Sequence, residues 1–204
     1  MKTLLVSLCL SFTASLSAQS LKLSADTRGV TVDGGAAGHL VLSAPIIGGS
    51  DKKDRKPVFT PAADGVSATA VYPDGLILKI SLSAKNGTIT YTLDHVPADA
   101  ASLKITAALP VSYNDGGTYT TNGGEAKSFP GEPGKQLFAQ GAFNQLDLVT
   151  GTGEGLSLTM PASYQQLQDN RVWGTQSFSW IYHYDFLRYP NETSFTISVA
   201  MVKK

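Results

Sequence analysis

The sequence predicts an all-β fold, a single antiparallel β-sandwich or jelly roll. Short segments alternate between apolar and polar side chains, as strands with one buried face do. The chain also contains 20 glycines and 10 prolines, which separate these segments with turns. No segment beyond the N-terminus has the periodicity of an amphipathic helix. Short strands in a chain of this length are typical of one sandwich rather than several domains.

The clearest local prediction is a β-hairpin in the first half of the chain. Leucine or isoleucine occupies every second position from 76 to 82, and residues 88–93 alternate again. Between them, Asn86-Gly87 is the pair that favours a two-residue type I′ turn. Shorter strands are predicted at 21–23, 30–32 and 39–42. The segment at 48–61, which contains the charged run at 51–56, is predicted to be an exposed loop.

The second half of the chain continues the same pattern. No proline- or serine-rich linker interrupts it, so residues 19–204 are predicted to form one domain. Further strands are predicted at 103–109, 118–122, 136–140, 143–149, 155–160, 178–184 and 194–202.

The N-terminus predicts export from the cytoplasm. Met1-Lys2 precedes an apolar run at 3–12 and a stretch of small residues ending at Ala18. This order is typical of a secretory signal peptide covering residues 1–18, and the apolar run is too short to span a bilayer. Cleavage would remove Cys9, the only cysteine. We therefore expect a secreted protein, extracellular or periplasmic, without intramolecular disulfides.

Charge and hydropathy limit the partners that the sequence favours. The chain has 16 basic and 16 acidic side chains, and loss of Lys2 leaves one acidic residue in excess. Nucleic-acid binding requires a basic surface, which this balance does not provide. No other apolar segment approaches the length of a membrane span. Nucleic acid and a membrane span are therefore not predicted.

Aromatic residues are concentrated between positions 164 and 189. This stretch contains both tryptophans and six more of the 18 aromatic residues, interspersed with amides and charged groups. Aromatic faces beside hydrogen-bonding groups suit a sugar ring, which has apolar C–H patches and hydroxyls. The alternative is that many of these rings fill the β core, because aromatic residues dominate core burial.

A carbohydrate site in this stretch would use rings for stacking and polar groups for orientation. Arg171 could form a bidentate contact with a sugar carboxylate or sulfate. The alternative is that Asp169 and Arg171 pair with each other while Trp173 closes the end of the sandwich. The candidate ligand-binding residues are Trp173, Trp180, Tyr182, Tyr184, Gln168, Asp169 and Arg171. The strand predicted at 178–184 would place Trp180, Tyr182 and Tyr184 on one face and His183 on the other.

Catalytic and metal-binding motifs are sparse. The sequence has no G-x-S-x-G elbow and no glutamate pair marked out for glycoside hydrolysis. A polysaccharide lyase needs a base and a cation beside the substrate carboxylate. His183 or Tyr164 could be that base, and Arg171 the cation. The three histidines fit no zinc spacing, so no cofactor is predicted; the sequence leaves open a structural calcium ion held by aspartate and backbone oxygens.

The C-terminal part resembles a known class of exported module. The runs Y-Q-Q-L-Q-D-N-R-V-W, F-S-W-I-Y and F-T-I-S-V, within residues 91–202, resemble β-sandwich modules of bacterial polysaccharide-degrading proteins, including polysaccharide lyase-like sandwiches. The resemblance implies a carbohydrate-binding sandwich for plant or algal polysaccharide, including acidic ones. A lyase acting by β-elimination on a uronate polymer, and an envelope structural or adhesion module, remain the alternatives.

Overall fold

The computed structural model describes residues 20–49 and 53–204. The predicted signal peptide, residues 1–18, lies outside the described residues, as does part of the charged run at 51–56. Within the described residues the chain is all-β, and every strand pairing is antiparallel. The predicted fold class is confirmed.

Sixteen strands are defined in the described residues. They are β1 (Lys22–Asp26), β2 (Gly29–Asp33), β3 (His39–Leu42), β4 (Ile46–Gly49), β5 (Asp54–Arg55), β6 (Val58–Pro61), β7 (Ser67–Val71), β8 (Ile77–Ser83), β9 (Thr88–Leu93), β10 (Ala100–Pro110), β11 (Thr118–Thr121), β12 (Lys127–Ser128), β13 (Leu137–Val149), β14 (Glu154–Asp169), β15 (Ser177–Asp185) and β16 (Ser194–Lys203). Three short 3-10 turns accompany them, at Gly35–Ala37, Val111–Asn114 and Asn170–Trp173.

The strands belong to one continuous sheet. Its main path runs β1-β2-β3-β10-β15-β14-β16-β9-β8-β7-β6, with β11, β12 and β13 joined to it through β14, and β4 and β5 through β10. The two ends of the path approach each other, where the Ala25 amide donates to the Gly65 carbonyl at 2.8 Å. The sheet is therefore nearly closed and encloses its own core, as in a sandwich.

The core is rich in aromatic rings contributed by β9, β15 and β16. Phe195 stacks between Tyr91 and Tyr184, with ring centroids 4.9 and 4.1 Å apart respectively. Trp180 and Tyr182 extend this cluster along β15. Stacked rings bury large apolar areas and add packing energy beyond the area alone. The closing strand β16 alternates over its first part, with Phe195 and the residues two and four further on facing inward. The sequence alternation continues to Met201, which is 38% exposed.

The predicted strands are largely confirmed, with three differences. The hairpin of β8 and β9 is present, but Ser83 pairs with Thr88, so the connection has four residues. In that connection only Gly87 has a positive φ, of 63°, and the predicted type I′ turn is therefore wrong. Strands β4, β5, β6, β7 and β12 were not predicted, and β5 and β6 lie within the segment at 48–61 that was predicted to be a loop. The segments predicted at 136–140 and 143–149 form one strand, β13.

A search for membrane-spanning helices gave a negative result. Among residues 20–49 and 53–204, no helix is long and apolar enough to cross a membrane.

Candidate functional site

The candidate site lies on the outer face of strands β13, β14, β15 and β10. Strand β14 is irregular near Pro161, where its pairing with β13 shifts register. Before this point the even-numbered residues of β14 are buried, and beyond Ser163 the odd-numbered residues are buried. The change turns Tyr164, Gln166 and Gln168 outward, because alternate residues of a strand point to opposite faces.

Four side chains on this face form a continuous chain of hydrogen bonds, which we call the polar ladder: Gln140, Tyr164, Gln166 and Gln168. The Tyr164 hydroxyl donates to Gln140 Oε1 at 2.8 Å and accepts from Gln166 Nε2 at 2.9 Å. Gln168 Nε2 then donates to Gln166 Oε1 at 3.0 Å. Tyr164 keeps 42% of its surface exposed. The ladder thus offers one aromatic ring and three amides to solvent.

His183 adjoins the ladder on β15. Its ring centroid lies 5.7 Å from that of Tyr164, and Lys104 is its cross-strand neighbour on β10. Burial lowers the pKa of His183, the positive charge of Lys104 lowers it further, and Asp54 acts in the opposite direction. Lys104 Nζ donates to Asp54 Oδ2 at 2.8 Å. This shift favours the uncharged imidazole at neutral pH, which is the form that can accept a proton.

Three of the four rings predicted to stack on a ligand are in the core. Trp180, Tyr182 and Tyr184 share one face of β15, as predicted, but each is fully buried. Trp180 Nε1 donates to the buried Gln165 Oε1 at 2.8 Å, and the Tyr182 hydroxyl donates to the Pro161 carbonyl at 3.0 Å. A ring without solvent-accessible surface has no face for a sugar. Their prediction as ligand-binding residues is corrected to core packing.

Asp169 and Arg171 form a buried ion pair, with 0% and 5% of their side-chain surfaces exposed. Arg171 Nε and a terminal nitrogen donate to the two Asp169 oxygens at 2.9 and 2.8 Å. Its other contacts are the carbonyls of Pro130 and Gly131, each at 2.8 Å, and the face of the Phe178 ring. Hydrogen bonds from Arg171 hold the pKa of Asp169 below its ordinary value. The predicted roles of both residues in binding a ligand, and of Arg171 in neutralising a substrate carboxylate, are therefore corrected.

Trp173 remains an exposed candidate. It ends the 3-10 turn Asn170–Trp173, with 56% of its surface accessible. Gly174 follows in the left-handed conformation, φ 81°, and its amide donates back to the carbonyls of the turn. Of the predicted site residues, the structure therefore brings together Tyr164, Gln168 and His183, with Trp173 on the turn that follows the same strand.

Sequence reasoning missed several residues of this face. The alternation of Tyr164, Gln166 and Gln168 was visible as a period of two, and this signal could have separated the outer face from the core. Gln140 and Lys104 could not have been found in this way, because only the strand pairing places them beside β14 and β15.

Metal binding has no support from the described residues. Within 20–49 and 53–204, no group of three or more His, Cys, Asp or Glu side chains is arranged to hold a metal ion. A cavity of about 170 Å³ lies elsewhere, on β8 and β9, and is mostly apolar. It is lined by Ile77, Lys79, Thr92, Leu93 and Asp94.

Comparison with known proteins gave no match. No protein-family model matches the chain, and no curated protein is similar to it at a significant level. The sequence resemblance to modules of polysaccharide-degrading proteins therefore rests on the quoted residues and on the shared β-sandwich architecture alone.

Proposed function

We propose that the chain is a secreted carbohydrate-binding β-sandwich whose binding face is the polar ladder. The observation that carries the proposal is the continuous hydrogen-bonded row of Gln140, Tyr164, Gln166 and Gln168. Each amide has both donor and acceptor groups, so it can either donate a hydrogen bond to a sugar hydroxyl or accept one from it. The exposed Tyr164 ring adds an apolar face for sugar C–H groups.

Holding these side chains in advance favours binding. Long glutamine side chains lose rotamer freedom when a ligand immobilises them, at a cost of about 0.5–1.5 kcal/mol each. In the ladder, the mutual hydrogen bonds restrict them before any ligand arrives. Unused amide protons and lone pairs remain available, because each amide has more hydrogen-bonding positions than the ladder occupies. A row of this kind suits a ligand with repeated hydroxyls, such as plant or algal polysaccharide.

The charges near the ladder favour a neutral polysaccharide over an acidic one. Arg171, the cation expected to hold a carboxylate, is buried against Asp169. Lys104 is paired with Asp54 at 2.8 Å. Amides and a tyrosine hydroxyl dominate the remainder, and these groups recognise hydroxyls without needing a charge. We therefore expect β-glucans, xylans or mannans to bind more tightly than uronate polymers.

Affinity electrophoresis against a polysaccharide panel tests this function. The double variant Gln166→Ala/Gln168→Ala should bind the retarding polysaccharide about 30-fold more weakly, since two hydrogen bonds contribute about 1 kcal/mol each and every 1.4 kcal/mol is tenfold. The matched control is Thr90→Ala/Thr92→Ala, which removes two hydroxyl contacts with β16 on another part of the sheet. The control should bind normally. Failure of the intact protein to bind any polysaccharide would contradict the proposal, and absence of turnover as well would leave the structural or adhesion role.

A second candidate, a polysaccharide lyase, is favoured by the contact between His183 and Tyr164. A neutral imidazole beside the tyrosine ring can take the proton next to a uronate carboxylate; the glycosidic C–O bond then breaks, a C=C double bond forms, and the departing oxygen takes a proton from water. With Arg171 buried, the cation that acts on His183 is Lys104, which lowers its pKa. The ultraviolet absorbance of an unsaturated uronate would reveal turnover.

The variant that tests the lyase role is His183→Ala, with His95→Ala as a surface histidine control. Turnover on pectate, alginate or hyaluronan that is lost in His183→Ala and kept in the control would support a lyase. Absence of unsaturated product from every uronate polymer, together with retardation on a neutral polysaccharide, would leave the binding module.

A further inference from the structure

The turn that follows the polar ladder is stabilised by a buried ion pair at its first residues. Asp169 caps the turn Asn170–Trp173, accepting the backbone amide of Arg171 at 3.0 Å as well as its guanidinium. The Thr175 amide donates to the Asn170 carbonyl at 3.2 Å and closes the turn. The turn is therefore fixed at both ends by hydrogen bonds rather than by apolar packing alone.

Arg171 also fixes the neighbouring loop. Two of its nitrogens donate to the carbonyls of Pro130 and Gly131. Phe129, just before them, is buried against Phe178, with ring centroids 5.1 Å apart. A buried ion pair is weak support for stability by itself, because desolvation offsets much of the attraction. The ion pair instead fixes the position of the turn, because the Arg171 guanidinium bonds to β14 and to the loop at 130–131.

The groups that the turn carries to the surface are apolar. Trp173 is 56% exposed and Val172 is 36% exposed, and neither belongs to the core cluster. A large ring on a rigid support needs little further ordering when a ligand stacks on it. The chain has two tryptophans, and the other, Trp180, is fully buried.

The turn is continuous with the polar ladder. Asn170 Nδ2 donates to Ser177 Oγ at 3.0 Å and to Ser179 Oγ at 2.7 Å. Ser179 is the cross-strand partner of Gln168, the last member of the ladder. A row of amides and hydroxyls thus leads from Tyr164 along β14 to the base of the turn. The ladder itself is long, because Tyr164 and Gln168 are separated by about 13 Å along an extended strand.

We propose that Trp173 is a second contact of the same site, and that the ligand is an extended polysaccharide chain that engages the ladder and Trp173 together. Arg171 is the positioning residue of this contact, acting through the geometry of the turn. The proposal rests on the proposed carbohydrate-binding function and adds the requirement for a chain rather than a short sugar.

Calorimetry with disaccharides and hexasaccharides of the cello-, laminari- and manno- series tests the proposal. For the series that binds, the intact protein should prefer the hexasaccharide by about tenfold, the scale of one stacking contact. Trp173→Ala should lose this preference while its affinity for the disaccharide holds, and Trp173→Tyr should keep most of it. Leu187→Ala, which removes another exposed apolar side chain (79%) outside the site, is the control and should change neither affinity.

Arg171→Lys tests the positioning role. Lysine keeps the charge but not the planar fork that binds Asp169 and two carbonyls. We expect a reduced hexasaccharide preference with an unchanged disaccharide affinity. Acrylamide quenching supplies a second measurement, because Trp173 is the accessible tryptophan: the hexasaccharide should protect it in the intact protein more than the disaccharide does.

Two outcomes would overturn the proposal, and they distinguish failure of the second contact from failure of the carbohydrate-binding function. If the intact protein binds and Trp173→Ala keeps the full hexasaccharide preference, the second contact is wrong while the ladder site stands. If the intact protein binds no member of any series and no polysaccharide, the proposed function fails and the second contact fails with it.

Discussion

The inner and outer faces of β14 and β15 share one backbone but differ in chemistry. The inner face carries Trp180 and Tyr182, packed in the core with the buried amide of Gln165 between β14 and β15. The outer face carries Tyr164 and His183 beside the three exposed or half-buried amides of the ladder. Large rings predominate inside, and amides predominate outside.

The difference shows how an aromatic-rich β sequence should be interpreted. A high density of aromatic residues in a β sequence indicates core packing, because aromatic rings bury the most apolar area per residue. The signal for a surface site is instead a polar series at every second position of the same strand. If this comparison is correct, inner-face variants change stability and spare binding, whereas variants of the polar ladder weaken binding with little effect on stability.

The largest expected effect is that of Arg171→Met. Removing the guanidinium leaves the Asp169 carboxylate buried without its cation, which costs about 3–5 kcal/mol in comparable buried pairs. Urea denaturation followed by far-ultraviolet circular dichroism measures the loss in the free energy of unfolding. Asp169→Asn in the same background should recover part of it, because no charge then remains buried. A loss below about 1 kcal/mol would mean that the pair behaves as a surface ion pair.

A smaller effect is expected from Trp180→Phe. The change keeps a ring on the inner face but removes the N–H that donates to Gln165 Oε1. Leaving a buried acceptor unpaired costs about 1–3 kcal/mol. Chemical denaturation should show this loss, with the affinity of the folded protein for the retarding polysaccharide unchanged. A variant of normal stability and weakened binding would reverse the assignment of the two faces.

The sequence predicted the fold better than the site, and particular residues explain why. Alternation along β8, β9 and β16 follows from local burial, so those strands could be found from the pattern alone. The series Trp180, Tyr182, Tyr184 was correctly placed on one face, but a pattern does not say which face is solvated. That depended on the register of β15 with β10 and β14, which is set by contacts between residues distant in sequence. The same holds for Arg171, whose carbonyl partners lie about 40 residues earlier.

His183, on the outer face, should make the stability of the protein depend on pH. Because burial and Lys104 lower the pKa of the folded imidazole, the unfolded chain binds more protons just below pH 6.5. Stability should therefore fall as pH decreases from about 6.5 toward the folded pKa. The difference in unfolding free energy between the intact protein and His183→Gln should change across this window. A difference that is constant with pH would contradict the assignment, and Lys104→Gln should narrow the window.

The smallest effect on stability is expected from Tyr164→Phe, which also separates the two faces most cleanly. The change removes one hydroxyl and thereby both the bond to Gln140 and the bond from Gln166. The freed amides face water, so the free energy of unfolding should change by less than about 1 kcal/mol. Binding should weaken several-fold, because the amides lose their shared restraint before the ligand arrives. Tyr182→Phe is the matched control: it removes an inner-face hydroxyl bonded to the Pro161 carbonyl, and it should lower stability without changing affinity. Equal affinities of the intact protein and Tyr164→Phe would mean that the ladder is not the binding face.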